Sequence, residues 1–148
     1  MEQDLGEAAP EGTPPPEPLA TVLVVDDDVS IREMLALVLE MEGYRALVAE
    51  NGREALAVLA AEDVDLVTLD VMMPGLDGWQ VGDAMRAHPR TRAIPRIMIS
   101  GMPVDQLMKA CATRQAAAII TKPFDVAVVL ALVERLLALD DVPASRSS

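Results

Sequence analysis

The chain has 148 residues, 51% of them hydrophobic, with 24 acidic against 12 basic side chains and a formal net charge of -12. That length suits one domain with a core plus tails, and two domains would be cramped. The charge, with Arg32 the first basic residue along the chain, argues against binding nucleic acid or acidic lipid through general electrostatics, so direct DNA binding is not expected.

Residues 1–19 (MEQDLGEAAPEGTPPPEPL) are rich in Pro and Glu and nearly devoid of large apolar side chains, which reads as a disordered or polyproline-like tail. They also lack the basic and apolar regions of a secretory signal. The folded unit is expected over residues 20–140. Its first strand is Thr21–Val25, ending in Asp26-Asp27-Asp28. A helix then begins near Asp28 and Ser30, where Ser30 and Glu33 have capping-box spacing; Ile31, Leu35, Val38 and Met41 share a face, and Gly43 stops it. The second strand is Arg45–Ala49, and after Asn51-Gly52 a helix turns Ala55, Leu56 and Leu59 inward. The third strand, Leu66–Leu69, halts at Asp70 before the chain turns through Pro74-Gly75, and a helix from about Trp79 to Ala87 precedes His88-Pro89.

The fourth strand, Arg96–Ile99, stops on Ser100, and the next helix starts at Pro103 and carries Leu107, Met108 and Cys111. Cys111 is the sole cysteine, which excludes an internal disulfide. The fifth strand, Ala117–Ile120, runs into Thr121-Lys122-Pro123, and the last helix reaches about Leu139. Its apolar run from Val126 is broken by Glu134 and Arg135 and is too short to span a bilayer, so a cytoplasmic protein is the simplest reading. Residues 141–148 read as a flexible tail or the stump of a linker. Tyr44, Trp79 and Phe124 are the only aromatics, so the core must be built from Leu, Val, Ile, Ala and Met, with no platform for stacking bases.

Five repeats of strand then helix argue an α/β fold with a parallel sheet covered on both faces, and the length fits an open doubly wound sheet, since a closed eight-stranded barrel needs about 250 residues. In such a sheet the carboxyl ends of the strands open onto one crevice. Asp26, Asp27, Asp70, Ser100 and Lys122 should therefore meet there. Each has an ordinary use when taken alone: a helix cap, a turn residue, a solvated loop lysine. Together, carboxylates repel unless a cation lies among them, and oxygen ligands alone point to Mg²⁺ or Mn²⁺. With the Lys122 ammonium beside them, the set makes an anion receptor next to a nucleophilic carboxylate. The matching chemistry is transfer of a phosphoryl group onto an Asp.

These residues resemble the receiver domains of bacterial two-component response regulators. VVDD followed by Arg32, LDVMMPGLDG, Ile99-Ser100-Gly101 and TKPF stand in that family's order and spacing over about residues 20–140. The resemblance implies a flavodoxin-like, five-stranded sheet of order 2-1-3-4-5 with five helices, and a phosphoryl group received from a histidine kinase or phosphotransfer protein. It implies Asp70 as phosphoacceptor, Asp26 and Asp27 as Mg²⁺ ligands with the Met72 backbone carbonyl, Lys122 paired with the phosphoryl oxygens or Asp70, and Ser100 as the hydroxyl that bonds the phosphoryl group. A cis bond before Pro123 is implied too. Asp28 fits a helix cap better than a ligand, and Asp77-Gly78 fits the start of the third helix.

The chain departs from the family at Ile119, where an aromatic often acts as the switch, and at Ala116-Ala117-Ala118, where Gly often stands. Met72 and Met102, two residues beyond Asp70 and Ser100, offer an attacking water nothing to bind, which suggests slow self-dephosphorylation. The plainer alternative is that both methionines merely fill space. On this reading the protein is no enzyme beyond self-phosphorylation and self-dephosphorylation. It signals to an unknown downstream protein through the fourth helix, fifth strand and fifth helix. On that last helix Val128 and Leu132 fall near the side opposite the core stripe of Val126, Val129, Leu130, Val133, Leu136 and Leu137; a homodimer contact there and a helix merely rich in Leu and Val both stay open.

Arg86, Arg90, Arg92 and Arg96, near His88, read as a solvated basic loop. The alternatives are a relay intermediate, or a receiver cut from a longer regulator with a lost output domain. From other classes come a hydrolase, for which Met72 cannot serve as second acid or base, and a flavin binder, which Asp26 to Asp28 would repel through its phosphate.

Overall fold

The computed structural model of the protein describes residues 16–112 and 118–140. Residues 1–15 of the tail expected over 1–19, the tail expected over 141–148, and the stiff entry expected at Ala116-Ala117 lie outside the described residues, as does the side chain of Cys111.

Runs such as TVLVV and RIMIS can be apolar at successive positions because both faces of their sheet are covered. The elements alternate as β1 (Thr21–Val25), α1 (Val29–Met41), β2 (Arg45–Ala49), α2 (Gly52–Ala61), β3 (Leu66–Asp70), α3 (Gly78–Ala87), β4 (Arg96–Ser100), α4 (Val104–Ala112), β5 (Ala118–Thr121) and α5 (Val126–Asp140). All strand pairs are parallel and the order is β2-β1-β3-β4-β5, so the expected flavodoxin-like topology is the one observed. Strand alternation sends Leu23, Val25, Val67, Leu69 and Met98 to one side, against Ala55, Leu59, Val81, Met85 and Leu107. Val22, Val24, Leu66, Ile97, Ile99 and Ile120 face the other side, against Leu35, Leu39, Val129 and Val133. Helices α2, α3 and α4 thus cover one face, and α1 and α5 the other.

Several local expectations need correction. β3 and β4 run one residue further than the apolar pattern, because Asp70 still pairs with Ile99 and Ser100 with Thr121. The cap of α1 is Asp28, as its context implied, and the Ser30–Glu33 spacing does not mark the helix start: the Asp28 Oδ1 accepts from the amides of Ser30 and Ile31 at 2.9 and 3.1 Å. On α1 the buried pair is Leu35 and Leu39, whereas Met41 is exposed; an apolar residue on nearly every side of that helix hid its true face. Met108 of α4 also points to solvent, leaving Leu107 as the buried contact. Arg96 opens β4, as the strand run implied, but is buried rather than solvated with the other arginines, with a guanidinium N–H donating to the Ile94 carbonyl at 3.3 Å. Arg86 pairs with Asp83 at 2.6 Å and Arg90 with Asp63 at 3.3 Å. On α5, Val128 is exposed but Leu132 is half-buried against the core, so the apolar patch there is narrower than the spacing suggested.

Candidate functional site

The carboxyl ends of β1, β3, β4 and β5 supply the polar groups. Asp26 follows β1 directly and is only 2% exposed. Its carboxylate is held by the Asp28 amide at 2.9 Å, and its carbonyl accepts from the Arg32 guanidinium at 2.8 Å. Arg32 carried no role in the sequence reading, yet it ties α1 to the end of β1. Asp27 is exposed beside Asp26 and lines a cleft of ≈ 460 Å³ with Glu50, Asn51, Arg53, Pro74 and Gly75. Asp70 closes β3 and is 3% exposed. One carboxylate oxygen accepts from the Met72 amide at 3.2 Å and the other from Lys122 Nζ at 3.3 Å.

Lys122 is shared. Its ammonium also lies 3.0 Å from Asp26 Oδ2, so it bridges two buried carboxylates rather than facing Asp70 alone. The Lys122 amide donates to the Ser100 carbonyl at 2.7 Å, which ties the ends of β4 and β5 together, and the peptide bond to Pro123 is cis, as the resemblance implied. Ser100 is fully buried, and its hydroxyl oxygen accepts from the Met102 amide at 3.1 Å. Ile119 is half-buried and packs against the core on the α2–α3–α4 side.

The electrostatics follow from this crowding. Burial, and next the charge of Asp26, push the Asp70 carboxyl from 3.8 up to about 6, while Lys122 and the Met72 amide pull it back in part. Burial pushes the Lys122 ammonium down, but hydrogen bonds and charge from Asp26 and Asp70 outweigh it and its pKa is raised. One carboxylate oxygen from each of Asp26, Asp27 and Asp70 lies within 4.8 Å of the others. Adjacent ligands of a hexacoordinate Mg²⁺ sit about 3 Å apart and opposite ones about 4 Å apart, given metal–oxygen bonds of 2.0–2.1 Å. That spread suits three ligands of one such ion, whose charge would offset the repulsion from Asp26 that adds to burial in raising Asp70.

Met72 is 61% exposed, and with Met102, Trp79 and Val71 it lines an open groove beside Asp70. Asp77 caps α3 in a reciprocal box, its Oδ1 accepting from the Gln80 amide at 2.8 Å while Gln80 Oε1 accepts from the Asp77 amide at 2.9 Å. Asp77 and Asp28 are thus structural, as their sequence context implied.

A family model described as the response regulator receiver domain matches residues 22–134. The chain is 34% identical to the protein PilH of Pseudomonas aeruginosa over 121 residues, which covers 81% of this chain and 99% of PilH. It is 44% identical to the phosphate regulon transcriptional regulatory protein PhoB of the same organism over 80 residues, covering 54% of this chain and 35% of PhoB. The chain spans about a third to a half of the length of the first curated transcriptional regulators it matches. Among solved structures it is similar to the chemotaxis protein CheY4 of Vibrio cholerae, with a TM-score of 0.74, 31% identity, and coverage of 78% of this chain and 97% of that one.

Proposed function

The chain belongs to the response regulator receiver domains of two-component signalling, and from that membership we propose that it accepts a phosphoryl group on Asp70 and signals by phosphorylation-dependent protein binding. The observation that carries this reading is the buried Asp70 carboxylate beside Asp26, Asp27 and the bridging Lys122 ammonium. The donor is a histidine kinase or phosphotransfer protein. An Asp70 oxygen attacks phosphorus as the bond from phosphorus to the donor nitrogen breaks, and the departing imidazole keeps that electron pair and is protonated.

Asp26, Asp27, Asp70 and the Met72 carbonyl would hold Mg²⁺, or Mn²⁺ in its place, which when bound would supply positive charge to the phosphoryl oxygens. Lys122 supplies charge from the other side. Ser100 gives up its bond from the Met102 amide to meet the phosphoryl group, which draws on the loop before α4 and biases the face of α4, β5 and α5. Exposed apolar side chains on these helices, Met108 of α4 and Val128 and Leu139 of α5, offer a contact for a downstream protein or a second copy. No described helix is long and apolar enough to cross a membrane, and the cytoplasm is where such a donor would meet this domain. A second reading, a receiver within a longer regulator, draws on the short span of PhoB that the chain covers.

Incubation with a small phosphodonor should add one phosphoryl group by intact mass when Mg²⁺ is present and none in chelator; uptake that ignores Mg²⁺ contradicts the metal assignment. Met72 and Met102 line the groove beside Asp70 without a hydrogen-bonding side chain, so Met72→Asn should shorten the acyl-phosphate lifetime by about tenfold, on the scale of one hydrogen bond that orients the attacking water. An unchanged lifetime would show the methionines to be filler.

A further inference from the structure

Helix α3 begins unusually close to the phosphoacceptor. Gly78 is buried, and its amide donates to the Val71 carbonyl at 2.9 Å. A Cβ at this position would collide with the Asp70 carbonyl oxygen and lie 2.8 Å from Val71 Cα and 3.0 Å from the Asp70 carbonyl carbon. All three are main-chain atoms, which cannot rotate away as a side chain would. Val71 is fixed on its other side by its amide, which donates to the Ile99 carbonyl at 3.0 Å, and the next amide, that of Met72, donates to the Asp70 carboxylate. The chain from Asp70 to Met72 is therefore held between β4 and the first turn of α3, and the Asp77–Gln80 box fixes where that turn starts. Gly82, one turn on, differs: a Cβ there would meet only the Arg96 side chain, at 3.7 Å.

We infer that Gly78 is a positioning residue for the cation site: by letting α3 seat on the Asp70–Val71 main chain, it sets where the Asp70 carboxylate and the Met72 backbone stand relative to Asp26 and Asp27. This rests on the metal reading given above. Its sequence context, Asp-Gly at a helix start, disguises the role as ordinary capping.

Mg²⁺ titration by calorimetry tests it. Gly78→Ala should weaken Mg²⁺ affinity by about tenfold or more, the scale on which supporting residues govern metal sites. Gly82→Ala should stay within about twofold of wild type, and so should Leu59→Ala, which truncates a buried core side chain near the C-terminal end of α2 and serves as the control for general destabilisation. Equal affinity in Gly78→Ala and wild type, or an equal loss in Leu59→Ala, overturns the inference. Should Gly78→Ala not fold, hydrogen exchange on the wild type decides: because linkage is reciprocal, Mg²⁺ should slow exchange of the Gly78 amide more than that of Glu62, which bonds the Val58 carbonyl at the end of α2. No extra protection at Gly78 overturns it. A wild type that binds no Mg²⁺ sinks the metal reading itself, a result distinct from all of these.

Discussion

Asp70→Asn is expected to stabilise the metal-free protein at neutral pH. The Asp70 carboxyl titrates at about 6 in the fold against 3.8 normally, so between those values the folded state holds a proton that the unfolded state has lost. Stability from this group therefore falls as pH rises through the window from about 4 to 6 and stays low above it. The charged carboxylate costs on the order of 1–3 kcal/mol at pH 7, the upper figure being the full shift and the lower allowing for its sharing with Asp26 and Lys122. A neutral amide of the same shape removes that cost. Melting in chelator near pH 7.5 should show Asp70→Asn about 4–10 °C above wild type. The gain should vanish below about pH 4, where Asp70 is protonated in both states, and shrink in saturating Mg²⁺, which relieves the wild-type repulsion. A variant no more stable than wild type at neutral pH would mean that Lys122 already compensates the charge in full.

Lys122→Ala should have the opposite sign and a larger reach. It removes the ammonium that lies between the Asp26 and Asp70 carboxylates, which it meets at 3.0 and 3.3 Å. Two buried like charges are then left to face each other. Breaking such a pair from one side costs about 3–5 kcal/mol when fully buried; Lys122 keeps some exposure, so about 2–3 kcal/mol is expected without metal, measured by urea unfolding. Phosphorylation by a small donor should slow about 100-fold, the scale of losing one charge-stabilising group in a transition state. Lys122→Arg retains the charge and should recover stability better than rate, since a planar fork cannot replace a compact ammonium in that bridge. A Lys122→Ala variant that is phosphorylated at the wild-type rate would assign the ammonium a purely structural part.

The strand runs were legible because a sheet buried on both faces leaves β-branched and apolar residues at successive positions, as in Thr21–Val25 and Arg96–Ser100. The convergence of Asp26, Asp27, Asp70 and Lys122 was legible for a related reason: parallel strands all end at the same edge, so polar residues that end separate runs must meet. Side-chain partners were less visible. That Lys122 is shared with Asp26, and that Arg32 holds the Asp26 carbonyl, depends on heights and rotamers that no spacing encodes. The face of α1 was obscured by apolar residues around the helix, which let Met41 stand in for Leu39. Arg96 heads the fourth strand run and yet reads with the solvated basic loop; that it is buried there depends on packing around the strand, which its charge does not encode. Gly78 lay in plain view as half of an Asp-Gly pair, but its contact with the Asp70 main chain belongs to packing rather than to the turn.

The central claim is that Asp70 receives the phosphoryl group. Treating wild type and Asp70→Asn side by side with a small phosphodonor in Mg²⁺, and weighing the intact proteins, tests it most directly. One phosphoryl group on the wild type and none on the variant is the expected result; equal labelling of both, or no labelling of the wild type, would contradict it.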